Sequence, residues 1–454
     1  MKKRLRQSIG ASALFTGVLM GISLSPSHAA IKGIAGPTFS FTAKVDHIST
    51  ADGGSLQLWG YADDAGSNNG RAQYPGPTMI VNQGDTVTIT LNNELPVSAG
   101  KVSMVFPGQT VTTTGGVTGV LTQEAVQDDP SSTNTDESQS VTYTFTADKP
   151  GTFTYHSGTK PELQVEMGLT GAIIVRPSGF DPNAPTAYGH PDTAYDREFL
   201  FFLSEMDPRI HETVEVDGSV PQAFLDGYVS NYFFINGRTA PDVFQEPYIG
   251  WMPTQPYNSL PRMHPGERIL MRVINGGRTL HPFHHHGNHA QIIAQDGRLL
   301  ESTAGAGPDL AYSVFTMPSV PGQTLDGIFQ WTGKGLGWDI YGTPAAGPEF
   351  AHSCTPGPDG FDPTTHEWCA DHGKEIPVVL PSQADTTFGG WWSGSPYLGT
   401  LGSLPPGEGG LNPNGGFVYM WHSHTERELT NYDIFPGGML TMMIIESYNV
   451  PLDD

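Results

Sequence analysis

The chain has 454 residues, with 46 Asp plus Glu against 22 Lys plus Arg and a formal net charge of −24. A surface this acidic repels nucleic acid and anionic lipid, so neither is an expected partner. Its 56 glycines and 38 prolines, spread between short apolar segments, argue against a mainly helical protein and for an all-β fold.

At the start of the chain, Lys2, Lys3, Arg4 and Arg6 precede an apolar run from about Ile9 to Leu24 and a small-residue site at Ser27-His28-Ala29. This pattern predicts a signal peptide over 1–29 and an exported protein, periplasmic or extracellular. No later run approaches the roughly 20 apolar residues that a spanning helix needs. The segment Thr86-Val87-Thr88-Ile89-Thr90-Leu91 alternates, which puts Val87, Ile89 and Leu91 on one buried face of a strand. Gly84 to Asn92 is echoed by Gly266 to Asn275, and Gly151-Thr152-Phe153-Thr154-Tyr155-His156-Ser157 is echoed by Gly416 to Ser423. Each of the latter pair precedes a glycine and an apolar strand, Gly168 to Val175 and Gly438 to Ile445. Such a repeat predicts two similar β-sandwiches, over 30–178 and 196–454, joined by a connector at 179–195.

The second unit is longer because of a loop-rich insert at about 333–416. Loops of this length are usually functional, and a protein partner is one expected role for it. The insert holds Cys354 and Cys369. In an exported chain the pair predicts a disulfide; the neighbouring His352, His366 and His372 support a rival reading as a Cys/His metal site.

Residues two apart on a strand share a face. His284 with His286, and His422 with His424, therefore each present two imidazoles to one point, a pattern that fits a metal ion. Glu426 and Glu428 follow closely, either as further ligands or as solvent-facing charges on a turn with Arg427. His285 and His289 read as supporting or surface imidazoles.

These motifs resemble those of the multicopper oxidase family of cupredoxin-fold proteins: Tyr74-Pro75-Gly76-Pro77-Thr78 with Gly84-Asp85, His156-Ser157, His281-Pro282-Phe283-His284-His285-His286-Gly287, and His422-Ser423-His424. The likeness covers nearly the whole mature chain, and its two-unit layout is similar to that of two-domain laccases and copper nitrite reductases. It implies two cupredoxin-like Greek-key sandwiches, copper as cofactor, and a homotrimer with metal sites between one subunit's first domain and the next subunit's second. Carried over by position, His284 falls at a type 2 copper position, His156, His286, His422 and His424 at type 3 positions, and His281 at the blue-copper site.

The departures are as informative. Val105-Phe106-Pro107-Gly108 stands where the family's first His-x-His-Gly motif belongs, and Gly158 where the second histidine of the next motif belongs. Ser423 replaces the blue-copper cysteine, and Glu428 takes the place of that site's second histidine. A blue site needs a thiolate, so conventional laccase action is not expected, and too few imidazoles remain for three coppers. One copper per chain is expected, held by His284, His286, His422 and His424 with His156 across a domain or subunit boundary. The function this implies is an exported copper-dependent oxidoreductase with a reduced, mononuclear centre. The alternative is a copper-binding or surface protein without turnover on a retired oxidase scaffold.

Overall fold

A computed structural model describes residues 31–127, 138–343, 348, 351–375, 393–395, 416–448 and 450–452. The expected signal peptide and much of the insert lie outside these residues. No helix among those described is long and apolar enough to cross a membrane.

The first sandwich pairs a five-stranded sheet with a four-stranded one. In the larger sheet, Thr38–Ser49 lies between Ser55–Asp63 and Thr86–Asn93, followed by Val141–Thr146 and Thr112–Gly115. The alternation read at 86–91 is what a strand with one face on the core requires: Val87, Ile89 and Leu91 are buried against Phe41, Trp59, Tyr143 and Tyr155. The smaller sheet runs Ile34–Ala35, Gly76–Asn82, Thr170–Arg176, Gly151–His156.

The second sandwich repeats this plan on a larger scale. Its seven-stranded sheet centres on Arg197–Met206, Arg268–Asn275 and Thr324–Gln330, and its six-stranded sheet on Leu440–Ile445, Phe417–Ser423 and His281–His285. Arg262–Met263 runs parallel to Leu440–Ile445 just as Gly76–Asn82 runs parallel to Thr170–Arg176. Phe201, Phe283, Met317, Phe329, Trp331, Tyr419 and Trp421 fill the space between the sheets. Burying one such side chain contributes roughly 1.5–3 kcal/mol.

The two copies of the repeated strand differ in burial. Thr86–Asn93 alternates, whereas Arg268–Asn275 is buried on both faces after its first residue. Its outer face is covered by the first sandwich and by the connector. Ile274 packs with Ala172, Ile174, Leu200 and Phe202, and Leu270 packs with Ala187 and Tyr195. A buried polar network completes this junction. Arg272 bonds Glu198 at 3.0 Å and Thr152 at 3.0 Å, Thr152 donates to Asp326 at 2.6 Å, and Arg176 of the first sandwich also pairs with Glu198. Charges this deep persist only when paired, so the network fixes one sandwich against the other.

Candidate metal centre

Strand register brings the two histidine motifs together. His281–His285 pairs antiparallel with Phe417–Ser423, setting His284 directly opposite His422 and His285 opposite Trp421. Phe283 and His285 then face the core, where the His285 ring lies 6.1 Å from Phe329 and 6.0 Å from Trp421. His285 is therefore a core residue, and of its two sequence readings, supporting or surface, burial removes the surface one. His284 and His286 take the other face.

His284, His286 and His422 form one group whose ligand atoms all lie within 4.8 Å of one another. Each ring is anchored from behind. His422 Nδ1 donates to Ser423 O at 2.7 Å, His286 Nδ1 donates to Ser393 O at 2.7 Å, and His284 Nδ1 lies 2.8 Å from the Thr316 hydroxyl. With protons held at Nδ1, the Nε2 lone pairs of His422 and His286 face each other across 3.3 Å. Facing lone pairs repel unless a cation sits among them. Anchoring by the remote nitrogen is also how metal-binding imidazoles are fixed in tautomer and direction.

Burial adds to this. It is the largest cause lowering all three pKa values, with the neighbouring imidazoles adding mutual repulsion, so His284 falls to about 3 and His422 to about 4. The rings are neutral at ordinary pH, the form in which imidazole binds a metal.

The other expected ligands are placed differently. His424 lies just past the strand end, its ring 4.9 Å from His284 and 5.7 Å from His422, with its side chain 54 % exposed. His156 belongs to the first sandwich and is not among the three grouped histidines of this chain. Its Nδ1 is anchored in the same way, donating to Ser157 O at 2.9 Å.

His281 is engaged elsewhere. Its Nε2 lies 2.6 Å from Glu205 Oε2 and its Nδ1 2.9 Å from Glu428 Oε2, with all three side chains buried. Both ring nitrogens donate, so neither is free to bind a metal. Burial alone would lower the His281 pKa, but the hydrogen bonds and charges of Glu205 and Glu428 outweigh it and raise it to about 9. Glu205 Oε1 also accepts the Arg278 and Thr279 amides at 2.7 and 3.0 Å. The carboxylate comes this close because residue 277 is glycine: a Cβ there would stand 1.9 Å from Glu205 Oε2.

A blue-copper site does not fit these residues. Ser423 offers no thiolate, and the remaining imidazole is locked as a cation between two carboxylates. Glu428, open in the sequence as ligand or surface charge, is neither, whereas Glu426 is 85 % exposed at its side chain. Sequence reasoning misses Glu205 altogether. Its only signal is a lone acid in the apolar run Phe199-Leu200-Phe201-Phe202-Leu203-Ser204-Glu205-Met206.

A double all-β sandwich with an imidazole cluster between strands of one sheet defines a cupredoxin-type protein. The profile of the multicopper oxidase family matches residues 65–179. Laccase abr2 of Aspergillus fumigatus is 35% identical over 195 residues, covering 38% of this chain and 30% of that protein. The iron transport multicopper oxidase fetC of Epichloe festucae is 30% identical over 228 residues, covering 50% of this chain and 30% of the relative. The chain thus matches under a third of the length of these relatives.

Among solved structures, the multicopper oxidase mgLAC aligns with a TM-score of 0.51 at 19% identity, over 92% of this chain and 88% of that one. The blue copper oxidase of Nitrosomonas europaea aligns with a TM-score of 0.50 at 18% identity, over 89% and 85%. At such identities the structural likeness concerns the fold. Profile and relatives support a multicopper oxidase-like chain, and the solved structures a cupredoxin-like fold.

Proposed function

We propose that the chain is an exported oxidoreductase with a single copper centre, held by His284, His286 and His422, and without a blue site. The observation that carries this reading is the pair of Nε2 lone pairs facing each other across 3.3 Å, each ring fixed by its far nitrogen. Imidazole-bound copper supplies one-electron redox chemistry and, with three protein ligands, an open position for a small substrate. The protein's part is to hold neutral imidazoles in one place and to bury one side of the group. His424 is the nearest fourth ligand. His156 of a second copy is another, if the trimer that the family resemblance implies is formed.

A second reading, copper binding without turnover, draws support from the Glu205–His281–Glu428 triad, which fills the place of the family's electron-relay site with a redox-inert ion cluster. One experiment tests the copper centre itself. The exported protein, loaded with copper and dialysed, is expected to hold one copper per chain with a type 2 spin-resonance signal. His286→Ala/His422→Ala is expected to lose it with the fold unchanged. Copper content unaffected by that double substitution would overturn the assignment. Turnover with small oxygen or nitrogen oxide substrates then separates the two readings.

A further inference from the structure

We propose that Asp339, His352, Glu367 and His372, in the described part of the insert, form a second and separate metal site that takes zinc. The four side chains converge: their ligand atoms all lie within 4.8 Å of one another, and none of them belongs to the His284, His286, His422 group.

The spacing is the first argument. His352 Nε2 lies 3.4 Å from Asp339 Oδ2 and 3.3 Å from Glu367 Oε2, and His372 Nδ1 lies 3.5 Å from Asp339 Oδ2. These separations are long for charge-assisted hydrogen bonds, which run about 2.7–2.9 Å. They match the edge of a tetrahedron around one ion: zinc bonds of about 2.0–2.1 Å to N and O place neighbouring donors roughly 3.3–3.4 Å apart. Only the fourth pair, His372 Nδ1 to Glu367 Oε1 at 2.8 Å, has hydrogen-bond length.

The second argument is charge and satisfaction. Asp339 is 3 % and Glu367 2 % exposed, and Glu367 Oε2 is buried without a hydrogen-bond partner while aimed at His352. The nearby cation Lys374 is spent on Asp371 at 2.8 Å. Two buried carboxylates and two imidazoles balance a divalent ion, whereas without one they leave a carboxylate oxygen unsatisfied at a cost of a few kcal/mol.

The third argument is preorganisation. Tyr341 N and Gly373 N donate to the two oxygens of Asp339 at 3.0 and 2.8 Å. Cys354 and Cys369 are joined in a disulfide, which ties the segment carrying His352 to the one carrying Glu367 and His372. The cysteines are thus spent on the bridge, and the Cys/His site that the sequence left open gives way to a His/carboxylate one. His372, with its side chain 33 % exposed, gives an ion its way in. Four N/O donors with no open position suit a structural zinc. It would pin the segment whose Trp338 ring lies 5.7 Å from Phe417, and whose Ile340 carbonyl accepts Gly416 N, at the root of the strand bearing His422.

The test uses the full chain with His286→Ala/His422→Ala, so that the copper group cannot hold the added metal and its failure cannot be confused with this one. After chelation, the protein is titrated with zinc chloride against a chromophoric chelator, and the zinc-edge X-ray absorption is measured. One zinc per chain, bound by N and O donors including imidazole, is expected. Adding His352→Ala/His372→Ala should weaken binding at least 100-fold. Glu367→Gln, which keeps shape and fold, should weaken it about 10-fold and covers the case in which the double variant does not fold. No retained zinc, sulfur in the metal's shell, or affinity unchanged in the folded Glu367→Gln protein would overturn the proposal.

Discussion

Replacing Glu205 by Gln isolates the buried ionic triad. In the native protein His281 is an imidazolium with no exposed surface, and its pKa is raised to about 9. The unfolded chain has an ordinary histidine near 6.5, so the rise to about 9 is worth ~3 kcal/mol. A raised pKa stabilises the form that binds the proton. The contribution is fully present below pH 6.5 and is lost as pH rises through about 9. The carboxamide oxygen of the variant can still accept the Arg278 and Thr279 amides, but its NH2 group then faces His281 Nε2, which must be neutral and accept. Denaturant unfolding, followed by tryptophan fluorescence at about pH 6.5 and again above pH 9, is the assay. The native protein is expected to lose ~3 kcal/mol across this window. The variant should be less stable by a similar amount at the lower pH and nearly flat between the two. A native protein equally stable at both pH values, or a variant with the same pH slope, would show that His281 is not held as a cation.

Two further outcomes are expected. Ser423→Cys supplies the thiol that the resemblance expects at this position, but with both nitrogens of His281 bonded to carboxylates, copper loading should give no intense thiolate-to-copper band in the visible spectrum; such a band in this single variant would contradict the triad. Arg272→Met removes the arginine facing Asp326 and one of the two on Glu198, leaving Arg176 there, and should cost about 3 kcal/mol, whereas Arg262→Met, at a pair whose arginine is 32 % exposed, should cost no more than ~1 kcal/mol; equal losses in denaturant unfolding would mean that the network does not clamp the junction.

The parts of this protein that are legible in the sequence are those with a local period. Alternation marks Val87, Ile89 and Leu91, and the same period of two puts His284 and His286 on one face; which face is the core, and hence that His285 is buried, comes from the structure. Internal repetition marks the paired strand sets, because each copy must bury the same face. What periodicity does not reach are partners far apart along the chain. Glu205 meets His281 across 76 positions, and the apolar run around it marks it as buried without naming its partner. Asp339, His352, Glu367 and His372 lie in a stretch without repeat or alternation, where conformation is set by turns, a disulfide and side-chain bonds. His424 follows the period of its pair, yet the strand ends at Ser423, and the turn that begins there leaves it half exposed.

The triad also constrains how electrons could reach the histidine group. His281 starts the strand that carries His284, and Ser423 directly follows His422, so the place of the relay adjoins the group through two short covalent paths. A thiolate there would offer a redox-active ligand next to His422. The residues present offer a hydroxyl, an imidazolium and two carboxylates, none of which changes oxidation state at biological potentials. They also fill the space with charges whose separation would cost several kcal/mol, so the pocket resists reverting to metal binding by one substitution. With copper bound as proposed, a reductant would therefore approach the group directly. The side on which it can do so is that of His424, where the side chain is 54 % exposed, while Phe283, His285 and Trp421 close the opposite side with fully buried rings. If the group holds the proposed copper, its substrates are small molecules arriving from the open face.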